Sequence, residues 1–380
     1  MLMAAAMTAS VTLTASFESR AQRRSEEIDY ESLLDIVSES GSYERYRSGH
    51  EAVYPDERIV VNGGDFTGAS EGFTYLEDYE GIGNACVMTL EEGSVTYEVA
   101  VEQAGFYQMK LVYYPVAGKN NDIGRSVTLN GQIPYDEAQY LEFTRIWQDA
   151  DEITRDARNN DVRPKQEEAP SWISAYCRDS EGFYQEPLYF WFEKGTNTLT
   201  FDSTQEPVII GQIILEQEER AVSYEAYQNA NAQAGYALAE TEPVRIQAED
   251  ALYKSHSTLY PITDRSSPIT EPQNAAKTRL NTIGGTNWSL NGRWITWEVE
   301  VPEDGLYEIA VKYRQNKNQG VTVVRSLYID GKIPFEEAAQ LQFYYNNSWK
   351  IAALGDGQEA YEFYLTQGRH TLTLMVSLDE

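Results

Sequence analysis

Residues 96–107 read TYEVAVEQAGFY, and residues 296–307, 200 positions later, read TWEVEVPEDGLY. The same spacing relates RSVTLNGQIPYDEAQYLEF at 125–143 to RSLYIDGKIPFEEAAQLQF at 325–343. Gly105 and Gly305, Tyr107 and Tyr307, Arg125 and Arg325, Gly131 and Gly331, Pro134 and Pro334, Glu137 and Glu337, and Phe143 and Phe343 fall in step. A constant offset over such a length means that one structural unit is written twice. The fold must therefore be one that a single chain can build two times over.

The unit is made of strands. In ITWEVEV, Ile295, Trp297, Val299 and Val301 alternate with Thr296, Glu298 and Glu300, the period of a half-buried strand. Val95, Tyr97, Val99 and Val101 do the same in the first copy. Short strands with Gly, Asn and Asp at the turns predict antiparallel order. The expected fold is all-β: two tandem β-sandwich domains of jelly-roll type with a short N-terminal helix and a helical linker. The expected limits are 54–218 for the first copy, 219–241 for the linker and 242–380 for the second copy. Residues 1–20 read as the apolar part of an export signal. Residues 21–53 read as a helical then polar segment, with Ile28, Leu33, Leu34 and Ile36 at helical spacing.

The copies differ in length at one place. Gly195 and Gly368 stand 173 apart rather than 200, so the first copy carries 27 more residues before Gly195. They fall in the polar stretch 148–187, punctuated by Trp172 and Tyr176. Loops this long are commonly functional, and two readings stand side by side there: a ligand or partner contact, or a packed structural excursion.

Composition narrows the function. The formal charge is −30, which disfavours nucleic acid and anionic membrane surfaces. No run after the first residues reaches membrane-spanning length. Only 3 His accompany 27 Tyr and 7 Trp, and His50, His256 and His370 form no cluster. No nucleophile elbow, zinc-protease signature, P-loop or dinucleotide fingerprint is present, so the chain reads as non-catalytic. Cys86 and Cys177 are the two cysteines. They match no metal spacing, and their pairing is open.

The second copy opens VRIQAEDALY and continues GRWITWEVEVPEDGLYEIAVKYR. This resembles the carbohydrate-binding modules of families 6 and 35, galactose-binding-like β-sandwiches with an Ala-Glu-x-Ala strand, a Gly-x-Trp-[IV] strand, Val-x-Val-Pro and Gly-x-Tyr. The first copy is a degenerate version: RIVVNGGDF stands for VRIQAEDAL, and Gly93-Ser94 for Arg293-Trp294. The tandem also resembles the N-terminal region of Gram-positive extracellular solute-binding proteins of ABC sugar importers. It shares with them NDVRP (160–164), LYPITDRSSP (259–268) and the paired R-S-x-x-x-[ND]-G-x-I-P segments. That resemblance implies an extracellular or cell-surface location, an oligo- or polysaccharide ligand, and a solute-binding body or transporter component as partner. The likeness to the family 6 and 35 modules implies a structural Ca²⁺ at Glu249, a hard oxygen ligand of the right kind.

Strand parity puts Trp294 on the face opposite Ile295 and Trp297, and its counterpart is only Ser94. A flat indole there suits the apolar face of a sugar ring. Trp288, Arg293, Tyr345, Asn346, Trp349 and the insertion's Trp172 are further carbohydrate-binding candidates. Trp297 is expected in the core. Arg125 and Arg325 share parity with core residues, and an inward Arg calls for a compensating group. Glu137 and Glu337 are the expected partners. The alternative function is a structural or protein-interaction module docking an importer body or cell-surface partner.

Overall fold

The structure is a computed structural model, and it describes residues 42–317 and 319–377. The apolar start at 1–20 and most of the helix expected in 21–53 lie outside the described residues. Within 42–50 the chain forms a single helix, Tyr43–Ser48, whose N-cap Ser42 accepts from the Arg45 amide at 3.4 Å. Capping of this kind satisfies an amide that a helix start leaves unpaired.

The protein is mostly β, with several sheets. Residues 51–380 form one compact unit. In the first copy, Gly93–Val101, Gly195–Gln205, Ile123–Leu129 and Leu141–Phe143 lie side by side, with Phe66–Ala69 at the edge. The facing sheet runs Ile173–Tyr176, Gly105–Pro115, Val208–Glu216, Cys86–Thr89 and Thr74–Leu76. Ile59–Asn62 also pairs with Val208–Glu216, and Tyr189–Phe192 with Gly105–Pro115. The alternation read from the sequence becomes burial: Val95, Tyr97, Val99 and Val101 are all buried. Burying each such side chain is worth roughly 1.5–3 kcal/mol. Aromatic edges lock the interior, as where Tyr113 meets Phe143 at 5.4 Å.

In the second copy, Trp294–Val301, Gly368–Ser377, Val323–Ile329 and Leu341–Phe343 repeat the first order. Ile295, Trp297 and Val301 face the core and Trp297 is buried, as expected. This sheet does not stop at the second copy. Tyr253–Lys254 joins it to Trp147–Asp149 and Gln166–Glu168 of the first copy, giving seven strands in one sheet. The stretch 148–187 is therefore built into the body. Its hairpin, Thr154–Arg155 with Asp161–Val162, meets the second copy at Arg279 and Leu280.

Two expectations change. The linker contains the helix Tyr224–Ala234, but Tyr224 and Tyr227 pack on the second core against Phe335 at 4.6 and 5.2 Å. The Glu137/Glu337 pairing also fails. Arg125 is fully buried, yet it donates to the carbonyls of Gly124, Gln205 and Glu206 and to the Thr89 hydroxyl. Arg325 donates to the carbonyls of Val324 and Trp288, and Glu337 instead accepts from the Tyr224 amide at 2.7 Å. Burial lowers both guanidinium groups to about 10. Converging carbonyl dipoles stand in for a counter-charge at the terminal nitrogens, while the buried Arg125 Nε has no hydrogen-bond partner among the described residues. Cys86 and Cys177 are buried and not bonded to each other. Desolvation pushes the Cys86 thiol up to about 11 and raises that of Cys177 as well.

Candidate functional site

The loop between Leu341–Phe343 and Lys350–Ala353 carries Tyr345, Asn346 and Trp349. The Trp349 indole Nε1–H donates to Asp264 Oδ2 at 3.2 Å, and the Arg314 guanidinium lies 5.3 Å from its ring centre. Arg314 Nη2 reaches the same Asp264 oxygen at 2.5 Å, and Nη1 donates to Ser266 Oγ. Asp264 also accepts from the Ser266 amide and hydroxyl, both at 2.6 Å. Burial pushes its carboxyl up, but the Ser266 bonds, the Arg314 charge and the Trp349 bond outweigh this and lower it. Asn281 fixes the backbone on both sides of Asp264, accepting from its amide and donating to its carbonyl. The result is a charged, oriented frame holding a half-buried indole, with Asn346 and Asn347 on the same loop. Asn346 ties to the Gln315 carbonyl at 2.7 Å, and Asn347 accepts from Tyr345 Oη at 2.9 Å.

Strand register shows a correspondence that the sequence hid. Ile173 opposes Tyr113 and Lys350 opposes Tyr313, so Trp172 and Trp349 occupy the same place in the two copies. Trp172 packs edge-on to Tyr114 at 5.5 Å and donates to the Tyr79 carbonyl. Arg314 is the counterpart of Tyr114. The second copy thus replaces a ring contact with a cation and a carboxylate.

The other candidates lie apart from this cluster. Trp288 donates to the Arg293 carbonyl, meets Trp297 edge-on at 6.3 Å and carries Arg325 over its ring at 4.7 Å. Its indole is committed to the second core. Arg293 is bound to Asp122 of the first copy at 2.9 Å and to the Ser255 carbonyl. It staples the copies together, so it is not a free loop contact. Trp294 is half-buried on the outer face, beside Met375 in register. A separate concavity of about 530 Å³ lies at the end of the Tyr224–Ala234 helix. Tyr236 and Tyr364 stack there at 3.7 Å, and Glu240, Glu303 and Asp304 line it.

Glu249 stands without an acidic cluster around it. Among the described residues no three Asp, Glu, His or Cys side chains gather, so a Ca²⁺ here would draw most of its oxygens from backbone carbonyls and water. Glu249 is instead 3% exposed. Burial, helped by the charges of Asp250 and Asp161, raises its carboxyl to about 7. The folded state then binds more protons than the unfolded one between about pH 4.5 and 7, so this group's contribution to stability falls as pH rises through that window. Glu249→Gln removes the dependence. Thermal melts of variant and parent should coincide near pH 4 and diverge by pH 8, with the variant more stable. Equal melting gaps at both pH values would contradict the assignment.

Neither a protein-family model nor a curated protein sequence matches the chain. Similar solved structures include carbohydrate-binding modules of families 35 and 6. A GH26-CBM35 β-(1,4)-mannanase from Podospora anserina aligns at 13% identity and TM-score 0.27, covering 48% of this chain and 35% of the mannanase. A family 35 carbohydrate-binding module from Clostridium thermocellum gives 11% and 0.27, covering 42% of this chain and 98% of the module. The C-terminal family 6 module of a laminarinase from Zobellia galactanivorans gives 12% and 0.25, covering 42% and 100%. Likeness this slight transfers neither ligand nor activity.

Proposed function

We propose that the chain is a non-catalytic carbohydrate-binding protein, made of two galactose-binding-like β-sandwiches of jelly-roll type. The second copy binds an oligo- or polysaccharide around Trp349. The observation that supports this is the indole's setting: a half-buried ring is oriented by Asp264 and Arg314, on a loop that also carries Tyr345, Asn346 and Asn347. A sugar offers an apolar face for the ring and hydroxyls for the charged and amide groups. The extracytoplasmic location and the role as an accessory or N-terminal part of a sugar-importer binding protein rest on the sequence phrases alone. The charge of −30 is compatible with a neutral glycan.

The test is a glycan array followed by calorimetry on the whole chain. Trp349→Ala should weaken binding at least about tenfold, since aromatic anchors dominate such contacts. Trp172→Ala should leave it unchanged. A blank array, or an unaffected Trp349→Ala with native circular dichroism, overturns the reading.

A further inference from the structure

The two copies tie the same end of the sandwich by different chemistry. In the first copy the turn residue Asn130, left-handed at φ 51, donates from Nδ2 to Asn197 Oδ1 at 2.9 Å and accepts from the Thr198 amide. Asn197 carries the tie onward. Its Nδ2 donates to the Glu193 carbonyl at 2.7 Å, and its oxygen accepts from the Glu193 amide. Strand Gly195–Gln205 is thus fastened both to the turn that follows Ile123–Leu129 and to the turn that precedes it. Neither side-chain amide titrates.

The second copy keeps the backbone and changes the side chains. Asp330, at φ 50, stands for Asn130, and at the 173-residue offset His370 stands for Asn197 and Thr366 for Glu193. Asp330 Oδ1 accepts from the Thr371 amide at 2.8 Å, and its Oδ2 lies 2.6 Å from His370 Nδ1. The other ring nitrogen, Nε2, lies 2.8 Å from the Thr366 carbonyl oxygen. The strands that carry this tie, Val323–Ile329 and Gly368–Ser377, are paired with each other as Ile123–Leu129 and Gly195–Gln205 are in the first copy.

Both partners of the ring call for a proton. A carboxylate and a carbonyl oxygen can only accept, so the ring satisfies both as imidazolium, with a hydrogen on each nitrogen. A neutral ring keeps one hydrogen. If Nδ1 holds it for Asp330, the bare Nε2 faces the carbonyl lone pairs, and the donor left to it is Thr366 Oγ1 at 3.3 Å.

The surrounding charges are otherwise engaged. Arg369, next along the strand, turns to the opposite face and binds Glu298 and Glu300 of Trp294–Val301, whose Val299 lies opposite His370. The turn 302–304, which leads to the facing sheet, carries Glu303 and Asp304. Glu303 accepts from the Glu240 amide, and Asp304 from the Gln367 amide at 2.6 Å. Tyr307 of the facing sheet donates to the Glu303 carbonyl, and Lys332 follows Asp330 by two residues. Asp330 is the charge that acts on the ring. Burial disfavours the imidazolium, but the Asp330 bond, the Thr366 carbonyl and the Asp330 charge outweigh it and hold the group above its ordinary value. The folded state therefore binds this proton more tightly than the unfolded chain. The tie is complete below about pH 6.5, where free histidine is protonated, and is lost as pH rises through the raised value.

We infer that His370 and Asp330 form a proton-operated clasp in the second copy, closed at acid pH and released at alkaline pH. The clasp fastens the Thr366–Gly368 turn, which through the Gln367 amide also holds Asp304. This end of the second copy loosens as the proton leaves, while the matching end of the first copy, tied by amides, does not. One histidine thereby makes one copy of the repeat sensitive to pH and leaves the other indifferent.

The test is NMR titration and amide hydrogen exchange on the whole chain, from about pH 5 to about pH 9. The His370 ring resonance, identified by its loss in His370→Asn, should titrate above about 6.5, the free-histidine value. Corrected for the free-peptide rate, protection of the Gln367 amide should fall at least about tenfold across the range. Protection of the Glu193 amide in the first copy should stay constant. The double variant Asp330→Asn with His370→Asn, which reproduces the first copy's pair, should keep the protection of Gln367 and lose its pH dependence. A His370 ring that titrates at or below the free value overturns the inference on the unaltered chain, whether or not the variants fold. So does flat protection at Gln367, an equal fall at Glu193, or a fall that persists in the double variant.

Discussion

Glu206→Gly is expected to lower the stability of the protein by about 3–5 kcal/mol, the range for breaking one side of a buried ion pair. The Glu206 side chain is wholly buried and pairs with Arg145 Nη2 at 3.0 Å; the arginine is 1% exposed. The same carboxylate accepts from the amides of Lys119 and Asn121 and from Asn121 Nδ2. A Cβ at Gly118 would fall 2.0 Å from Glu206 Oε2, so the loop closes directly on the carboxylate. Glycine is the informative replacement because Glu206 already sits at φ 61. The backbone is left-handed there and glycine adopts it without strain, so the loss reports the carboxylate. Arg145 keeps Glu168 at 2.9 Å and the carbonyls of Val116 and Asn121. The double variant with Arg145→Ala should therefore cost much less than the sum of the two single changes. Urea unfolding of the four proteins measures this. Additive losses would mean that the two residues do not act as a pair.

The strand plan was readable because it rests on period and repetition. Ile295, Trp297 and Val301 face inward as their alternation requires. Partners were not readable, because contacts join residues far apart in the chain. The inward direction of Arg125 follows from parity, but a string of letters does not distinguish a carboxylate from a carbonyl. The carbonyls of Gln205 and Glu206 lie 80 and 81 residues away. Trp288 looked like a loop residue because Gly and Asn surround it, yet Arg325 and Trp297 hold it from elements further on. Arg293 seemed free to meet a ligand until Asp122 arrived from the other copy. The likeness of Trp172 to Trp349 was masked because the 148–187 stretch shifts the offset before them. Asp264 was in plain view within LYPITDRSSP, but only the fold sets it against Trp349 and Arg314.

The tip of that stretch is where the second large effect is expected. Asp161 Oδ1 accepts from Arg155 Nε at 3.1 Å and from Arg279 Nη1 at 3.2 Å, and Oδ2 accepts from the Leu280 amide at 3.0 Å. Its own amide donates to the Thr278 carbonyl, and neighbouring Asn160 accepts from the Thr278 amide. Arg163 stacks over Tyr260 at 3.7 Å. All of these, save Arg155, join the first copy to the second. Asp161→Ala leaves Arg279, 9% exposed, without its carboxylate, and truncating one side of such a pair costs about 2–5 kcal/mol. The loss should fall on the coupling between the copies. In calorimetry the single melting transition expected for one compact unit should split, and the second copy should melt first. Among the described residues its facing sheet is in two pieces, and Ile309, Val311 and Tyr313 there are only half-buried. Arg279→Ala should produce the same splitting, and the pair together little more. If Asp161→Ala melts in one transition at the parent temperature, the stretch does not hold the copies together, and a ligand or partner contact at 148–187 regains its place as the reason for the extra residues.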